Sequence, residues 1–249
     1  QQANPLLRGK PVTVAAYTTG GGCILAASRE AKMLGVSTGM RVWEGRQLCS
    51  SLIVLPPDPE KYRFVNRKLV TLLGSYTADI EVKSIDEMVM QMAHSPVLTQ
   101  VKFPESKRPD SGNCVIKVKN QMMAIAQEIK KRIKQEIGEW LTVSIGIAPN
   151  QYLAKVASGF HKPDGLDVID GENIEEILGS LALEDLCGIK KGNGNRLQMA
   201  GITTTLDFYR AEAIELKHAF RSVVGFSWWM RLHGYPSSPA EEAGFLFQT

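Results

Sequence analysis

Residues 141–165 restrict the possible folds more than any other part of the sequence. Apolar residues alternate with polar or small ones over Leu141–Ala148, which predicts a half-buried strand. Asn150 follows closely, in position to cap a helix that continues to about Ser158. Residues 163–165, Pro-Asp-Gly, then predict a tight turn. The stretch therefore predicts a strand followed closely by a short helix and a turn.

The remaining elements follow from the same periodicities and capping signals. In chain order we expect strands over 12–17 and 23–27, a helix from Ser28 to Gly35, a helix that begins at Asp58, a strand pair between Ile80 and Met90, a loop over 93–114, a helix over 119–137, and short helices over 172–179, 182–186, 191–200, 204–209 and 212–233. The helix over 119–137 contains a basic cluster, Lys130, Lys131, Arg132 and Lys134. We favour a solvated helix face for this cluster, and a DNA-facing surface is the alternative.

Charge is distributed unevenly along the chain. Residues 1–75 contain 10 Lys and Arg against 4 Asp and Glu, whereas residues 166–249 contain 7 against 12. A basic first third suits a polyanionic partner such as a nucleic acid or a nucleoside triphosphate, although a solvated basic face would have the same composition.

Some classes of protein are not expected from this sequence. No run of about 18 apolar residues is present, and the first residues do not resemble a secretory signal, so we expect no membrane association. The cysteines lack metal-binding spacing, so we expect reduced, buried thiols at Cys23, Cys49, Cys114 and Cys187. Because the chain starts with Gln1 rather than Met, we expect that other residues precede it in the natural gene product.

Two adjacent carboxylates, Asp86 and Glu87, interrupt an otherwise apolar strand pattern. If they are partly buried, their like charges repel, and a divalent cation would relieve that repulsion. Mg²⁺ usually needs only one or two protein carboxylates together with phosphate oxygens. The alternative is a solvent-exposed hairpin turn that happens to contain two acids.

Basic residues provide candidate phosphate-binding groups in two places. Lys162 precedes the turn at 163–165, and Lys155 lies in the helix before it, so either could contact a phosphate as a point charge. Ser28 is expected to cap a helix whose first turns contain Arg29 and Lys32 on one face. Ordinary surface lysines and surface salt bridges would produce the same patterns.

A further candidate lies in residues 187–202, which are similar to a helix-hairpin-helix. In such motifs, glycine N–H groups in a tight turn contact a DNA phosphate without reading the base sequence. Gly188 would be the glycine, with Lys190 and Lys191 beside it. A plain pair of helices joined by glycine is the alternative.

The order and spacing of these segments resemble the Y-family (UmuC/DinB-type) translesion DNA polymerases. The matching segments are Asn4–Val12, Ala27–Met40, Ser84–Glu87, Val143–Gly165 and the motif at 187–202, with the stretch from Val143 to Gly165 the most specific. The resemblance covers nearly the whole chain. It implies an α+β fold, namely a right-hand polymerase core. This core would have an α/β fingers domain over 1–75, an incomplete ferredoxin-like palm with a mixed sheet over 76–165, a small helical thumb over 166–233, and a linker over 234–249 toward a little-finger domain.

The resemblance also implies a reaction, namely template-directed addition of a deoxynucleotide to a primer 3′ end in lesion bypass and DNA repair. Asp86 and Glu87 would bind two Mg²⁺ ions. Lys32 and Lys162 would neutralise the incoming deoxynucleoside triphosphate, with Ser28 and Arg29 nearby. The implied partners are primer-template DNA, the triphosphate and a sliding clamp, and the implied compartment is the cytoplasm.

The sequence departs from the family pattern in the fingers, the palm and the thumb. The family usually has another residue at the Arg29 position and often Arg at the Lys32 position. The family has a further metal-binding aspartate on a first palm strand that precedes the fingers, so we expect a palm sheet with unpaired backbone groups and a chain that is inactive alone. Lys190 stands where the family commonly has a second glycine, and its charge would offset the lost backbone contact. The alternative functions are a non-catalytic, Y-family-like DNA-binding or scaffolding subunit, and an unrelated DNA-binding helical module on an α/β scaffold.

Overall fold

The computed structural model describes residues 1–93, 95–99, 111–236 and 246–248. The chain divides into two compact units. The first unit consists of Gln1–Arg67 with Gly138–Leu141, and the second consists of Lys68–Ile137 with Thr142–Thr249.

The first unit contains a three-stranded sheet in the order β2-β1-β3, with β1 antiparallel to β2 and parallel to β3. Its strands are β1 (Val12–Ala15), β2 (Ile24–Ala27) and β3 (Ile53–Leu55), and its short helices are α1 (Arg29–Met33) and α2 (Val42–Leu48). A small apolar core forms between sheet and helices, consisting of Ala15, Ile24, Ala31, Val36, Val42, Cys49 and Leu52. α3 (Pro59–Leu73) follows, and Asp58 caps it by accepting a hydrogen bond from the Lys61 N–H at 3.2 Å.

The second unit contains a five-stranded sheet in the order β4-β5-β8-β6-β7. Its strands are β4 (Ile80–Val82), β5 (Met88–Gln91), β6 (Ile145–Ala148), β7 (Leu166–Val168) and β8 (Leu246–Gln248). β8 is antiparallel to both of its neighbours, β5 and β6, whereas β6 and β7 are parallel. The last described residues of the chain therefore form the central strand of this sheet.

Helices of the second unit pack around the sheet and among themselves. They are α4 (Pro96–Thr99), α5 (Ser111–Arg132), α6 (Gln151–Ala157), α7 (Ile174–Gly179), α8 (Lys191–Met199), α9 (Thr205–Arg210), α10 (Ala213–Phe220) and α11 (Val224–Leu232), with a π-helical turn over Ile133–Ile137 and a 3-10 turn over Leu183–Asp185. One continuous core runs from β5 to α11 and contains fully buried residues such as Leu153, Phe208 and Leu232. No helix in the described ranges is long and apolar enough to cross a membrane.

The mixed α/β architecture agrees with the sequence prediction, and several predicted helix starts are confirmed. Ser28, Asp58 and Asn150 each precede a helix and accept a hydrogen bond from a backbone N–H of its first turn. The strand before Asn150 is shorter than predicted, because only Ile145–Ala148 pair with neighbouring strands.

Other predicted boundaries were wrong. α5 begins at Ser111, eight residues before the predicted start at Lys119 and within the predicted loop. Residues 100–110 of that loop lie outside the described residues. Residues 212–233 form two helices rather than one, because Arg221 adopts a left-handed conformation with φ 50° that ends α10. Cys187 is exposed rather than buried, whereas Cys49 is buried as expected, and the side chain of Cys114 is not among those described.

The expected gap in the larger sheet is filled. Residues 246–248 fall inside the stretch predicted to be a linker, yet they pair with β5 on one side and with β6 on the other. Residues 237–245 and Thr249, also predicted as linker, lie outside the described residues. The division into fingers, palm and thumb stays a prediction.

Candidate active site

Asp86 and Glu87 lie at a tight turn that joins β4 to β5. The turn closes through hydrogen bonds from the N–H groups of Lys83 and Ser84 to the carbonyl oxygen of Glu87, at 2.9 and 3.2 Å. The Ser84 hydroxyl also donates to Oδ1 of Asp86 at 2.7 Å. Asp86 is exposed and Glu87 is partly buried. The turn therefore presents two neighbouring carboxylates, of which Asp86 is the more exposed to solvent.

Lys155 lies on α6 and forms an ion pair with Glu87. Its ammonium contacts Oε1 of Glu87, and the side chains are 26% and 35% exposed. A divalent cation would relieve the repulsion between the two carboxylates. In the structure, a lysine ammonium neutralises Glu87, and solvent together with Ser84 stabilises Asp86.

α6 is held firmly in place. Its N-cap residue, Asn150, is buried, accepts from the Leu153 N–H at 2.8 Å and donates to the carbonyl oxygens of Arg231 and Tyr235 at 2.8 and 2.9 Å. On the sheet side, Gly146 of β6 allows close approach, because a Cβ at this position would lie 2.0 Å from the Ala154 carbonyl oxygen. Lys155 is thus fixed on a rigid helix.

Lys155 and Lys162 line one cavity of about 380 Å³. Its other lining residues are Val156, Gly159, Phe160, Leu181, Asp185 and Cys187. Lys162 is exposed at this cavity. Lys155 lines the cavity, and its ammonium contacts Glu87. The structure therefore places two cationic side chains and the turn at Asp86 and Glu87 in one region of the second unit.

The loop that contains Lys162 is anchored through Asp164. Two lysines bind it: Nζ of Lys134, in the π-helical turn Ile133–Ile137, lies 2.7 Å from Oδ2, and Nζ of Lys130, in α5, lies 3.1 Å from Oδ1. Lys130 also donates to the carbonyl oxygens of Asp164 and Gly165. Burial raises the pKa of the Asp164 carboxyl, but the hydrogen bonds from Lys134 and Lys130 outweigh burial and hold that pKa below its ordinary value.

The basic cluster at 130–134 is partly structural and partly solvated, so the predicted solvated face describes only some of its members. Lys130 and Lys134 bind Asp164, and Arg132 pairs with Glu136 at 2.6 Å. Lys131 alone of the four is fully exposed. The spacing of Lys130 and Lys134, one helical turn apart, could have indicated a shared acidic partner, but it could not have identified Asp164.

In the first unit, the three predicted substrate-binding residues lie at the start of α1. The Ser28 hydroxyl is fully used, because it accepts from the N–H groups of Val12 and Ala31 and lies 3.4 Å from the Lys10 carbonyl oxygen. Arg29 and Lys32 are exposed. α1 has five residues, so its dipole is small, and these two side chains supply most of the positive charge.

At residues 187–202, the glycine and lysines lie together on the surface before and at the start of α8. Gly188 has φ +92°, and a Cβ there would approach the Trp228 ring to 3.0 Å, so a glycine is required. Lys190 is the N-cap residue of α8 and Lys191 is its first residue, and both are exposed. DNA binding by this turn stays a prediction.

Asp86 and Glu87 meet some of the requirements of a Mg²⁺ site but not all of them. The carboxylate oxygens of Asp86 and Glu87 are the hard ligands that a single Mg²⁺ prefers when phosphates complete its coordination. Within the described ranges, however, no three His, Cys, Asp or Glu side chains are close enough to hold a metal ion together. The residues present therefore fit an ion shared with a phosphate-bearing substrate.

Comparison with known proteins supports the resemblance seen in the motifs. A profile of the impB/mucB/samB family matches residues 1–159. DNA polymerase IV of Alkalilimnicola ehrlichii is 32% identical over 226 residues, covering 91% of this chain and 58% of that protein. DNA polymerase IV 1 of Bacillus subtilis is 34% identical over 215 residues, covering 86% and 46%.

Solved structures give the same result. The insertion ternary complex of Dbh DNA polymerase matches with a TM-score of 0.75 and 28% identity, over 95% of this chain and 64% of that one. DinB from Sulfolobus solfataricus matches with a TM-score of 0.72 and 27% identity, over 93% and 62%. The chain spans about half to three fifths of the length of these two curated relatives. The profile match over more than half of the chain shows that it belongs to the impB/mucB/samB family, the UmuC/DinB-type or Y-family group.

Proposed function

We propose that this chain is part of a DNA-directed DNA polymerase that adds deoxynucleotides to a primer 3′ end during lesion bypass. The observation that carries the proposal is that Lys155 lines one cavity together with Lys162 and also pairs with Glu87, the neighbour of Asp86 at the turn before β5. Carboxylates that can hold a divalent cation, beside lysines that can bind phosphates, are the groups that phosphoryl transfer requires.

The names of similar proteins point to the same reaction. Two relatives with about one third identity are DNA polymerase IV proteins, and a similar solved structure is an insertion ternary complex of a DNA polymerase. On this basis we also propose primer-template DNA and a deoxynucleoside triphosphate as partners. The assignment of residues 1–75, 76–165 and 166–233 to fingers, palm and thumb belongs to the same proposal.

Each predicted site residue has a defined role in this proposal. Lys162 binds the triphosphate as a point charge from a loop that Asp164 anchors. Arg29 and Lys32 add positive charge for the same anion, and Ser28 holds the start of their helix. Gly188 and the lysines after it contact DNA phosphates without reading sequence.

Asp86 and Glu87 would hold Mg²⁺. When bound, Mg²⁺ supplies charge neutralisation and alignment of the reacting oxygens. Two ions need more oxygen ligands than these two carboxylates offer, and the part of the chain that the structure describes contains no third carboxylate beside them. We therefore propose that residues 1–249 alone extend a primer weakly or not at all, and that the whole protein supplies the remaining ligand.

Primer extension by the whole protein tests the proposal. Replacing both acids, Asp86→Ala with Glu87→Ala, should reduce the extension rate by about a thousandfold or more while primer-template binding changes less than about threefold. Glu81→Ala on the same hairpin is the matched control and should leave extension unchanged, because the Glu81 side chain is exposed and pairs with Lys83. Unchanged extension by the double variant would remove the enzymatic role of the two acids. DNA binding without any extension by the wild-type protein would favour a non-catalytic subunit instead.

A further inference from the structure

We propose that Lys155 is a positioning residue. Its ammonium occupies the position of the divalent cation beside the Glu87 carboxylate, and it is displaced when the cation binds. The proposal deepens the proposed function and rests on its assignment of Asp86 and Glu87 to cation binding. It adds a residue for which the family resemblance supplied no role. Its basis is the ion pair between Lys155 on α6 and Glu87 at the turn before β5.

The ion pair is built from two firmly held segments. Asn150 and Gly146 fix α6, and the backbone hydrogen bonds to the Glu87 carbonyl fix the turn. Because both backbone segments are fixed, formation of the pair orders only the two side chains. The two side chains are about one quarter and one third exposed, so water screens their attraction only in part. The ammonium therefore holds the carboxylate in one position.

A cation at Glu87 and the ammonium of Lys155 would compete for the same carboxylate oxygens. The cation and the ammonium are both positive, so they repel each other if both contact the Glu87 carboxylate. Lys155 has an alternative position, because it also lines the cavity that contains Lys162. Once displaced, its ammonium remains beside the region where an anionic substrate would bind. Cation binding would thus release a second lysine for phosphate, which couples the two binding events.

Lys155 would also orient the two carboxylates while no cation is bound. Asp86 and Glu87 are adjacent, and without a cation their repulsion would favour movement of one carboxylate away from the turn. Lys155 neutralises Glu87, and the Ser84 hydroxyl holds Asp86 at 2.7 Å. Both acids are therefore kept oriented before any cation arrives, which reduces the reorganisation that cation binding requires.

Mn²⁺ binding to the whole protein, which in the proposed function supplies the remaining metal ligand, tests the proposal. The binding is measured by electron paramagnetic resonance without DNA or nucleotide. Lys155→Met removes the competitor and should tighten Mn²⁺ binding by about threefold to tenfold. Lys155→Arg keeps the positive charge and should restore the wild-type affinity. Lys131→Met is the matched control, because Lys131 is exposed on α5, and it should leave the affinity unchanged.

Glu87→Gln supplies a second comparison that does not depend on the absolute affinity. In the Glu87→Gln background, Lys155→Met should no longer change the Mn²⁺ affinity, because the shared carboxylate is absent. Circular dichroism of each variant identifies loss of folding separately. Equal or weaker Mn²⁺ binding by Lys155→Met, including no binding in either protein, would overturn the proposal. A protein that binds Mn²⁺ as expected but never extends a primer would contradict the proposed function while leaving the role of Lys155 intact.

Discussion

Asp164 shows how one residue can fix the position of a candidate substrate-binding group. It lies two residues after Lys162, has φ 63°, and binds the ammonium groups of Lys130 and Lys134. Asp is among the few residues that adopt this left-handed conformation readily, and Asn shares the property. An Asn at this position would therefore keep the backbone while removing the negative charge.

Asp164→Asn should lower the free energy of unfolding at pH 7 by about 1–3 kcal/mol. The pKa of Asp164 in the folded chain lies below its ordinary value of 3.8, so the stability it contributes is fully present above that ordinary value. It is lost as the pH falls through the lower, folded-state pKa. The difference between wild type and variant should therefore shrink below about pH 4. Urea denaturation at a series of pH values measures it.

Two lysine variants separate the ion pair from a general effect of charge. Lys130→Met should destabilise the chain by an amount similar to Asp164→Asn, because it leaves three acceptors of the loop without this donor. Lys131→Met removes the same charge from the exposed side of α5 and should change stability by less than about 0.5 kcal/mol. A difference between wild type and Asp164→Asn that stays constant from pH 7 to pH 3 would contradict the assignment.

Among the elements, α6 determines the geometry of the candidate site. Gly146→Ala would place a methyl group 2.0 Å from the Ala154 carbonyl oxygen and 2.4 Å from the Ser158 nitrogen. Both are backbone atoms, so α6 itself must move away from β6. We expect a loss of about 2–4 kcal/mol in the free energy of unfolding, measured by chemical denaturation. Gly179→Ala is the matched control, because a Cβ there meets nothing within 4 Å and should not destabilise α7. Equal stabilities of the two variants would refute the close approach.

The sequence predicts elements well where local chemistry determines them. Asn150 marks the start of α6 because its side chain must satisfy a backbone donor that the helix leaves free. The sequence did not mark Ser111 as the start of α5, because Ser111, Gly112 and Asn113 contain no apolar position and follow a Pro- and Lys-rich stretch. Nor could it predict the break at Arg221, since neither Gly nor Pro marks that position.

The candidate site was predictable in its parts but not in its assembly. The adjacent acids Asp86 and Glu87 and the turn after Lys162 are local patterns that a sequence displays directly. The ion pair between Glu87 and Lys155 joins residues 68 positions apart, and it depends on how α6 packs against β6. Local periodicity contains no information on such a distance, so the partner of Glu87 became known only from the structure.

At the scale of the whole molecule, the five-stranded sheet depends on its last strand. β8 consists of Leu246–Gln248, and it separates β5 from β6 in the strand order. Without it, the facing backbone groups of β5 and β6 lose their partners, and two strand edges become exposed. The first unit has its own sheet and its own core, formed around Ile24 and Val42. A change at β8 should therefore affect the two sheets unequally.

Deletion of residues 246–249 should make the amides of β5 and β6 exchange with solvent faster by roughly tenfold to a hundredfold. The amides of β1 and β3 should keep their wild-type rates, because none of their hydrogen bonds involves β8. The exposed edges should also promote self-association, which light scattering detects.

Deletion of Thr249 alone removes a residue beyond β8 and serves as the control. Hydrogen exchange followed by mass spectrometry resolves the two sheets. Unchanged exchange in Met88–Gln91 and Ile145–Ala148 after the longer deletion would mean that β8 contributes little to the sheet, and uniform acceleration in both units would mean that the units unfold together.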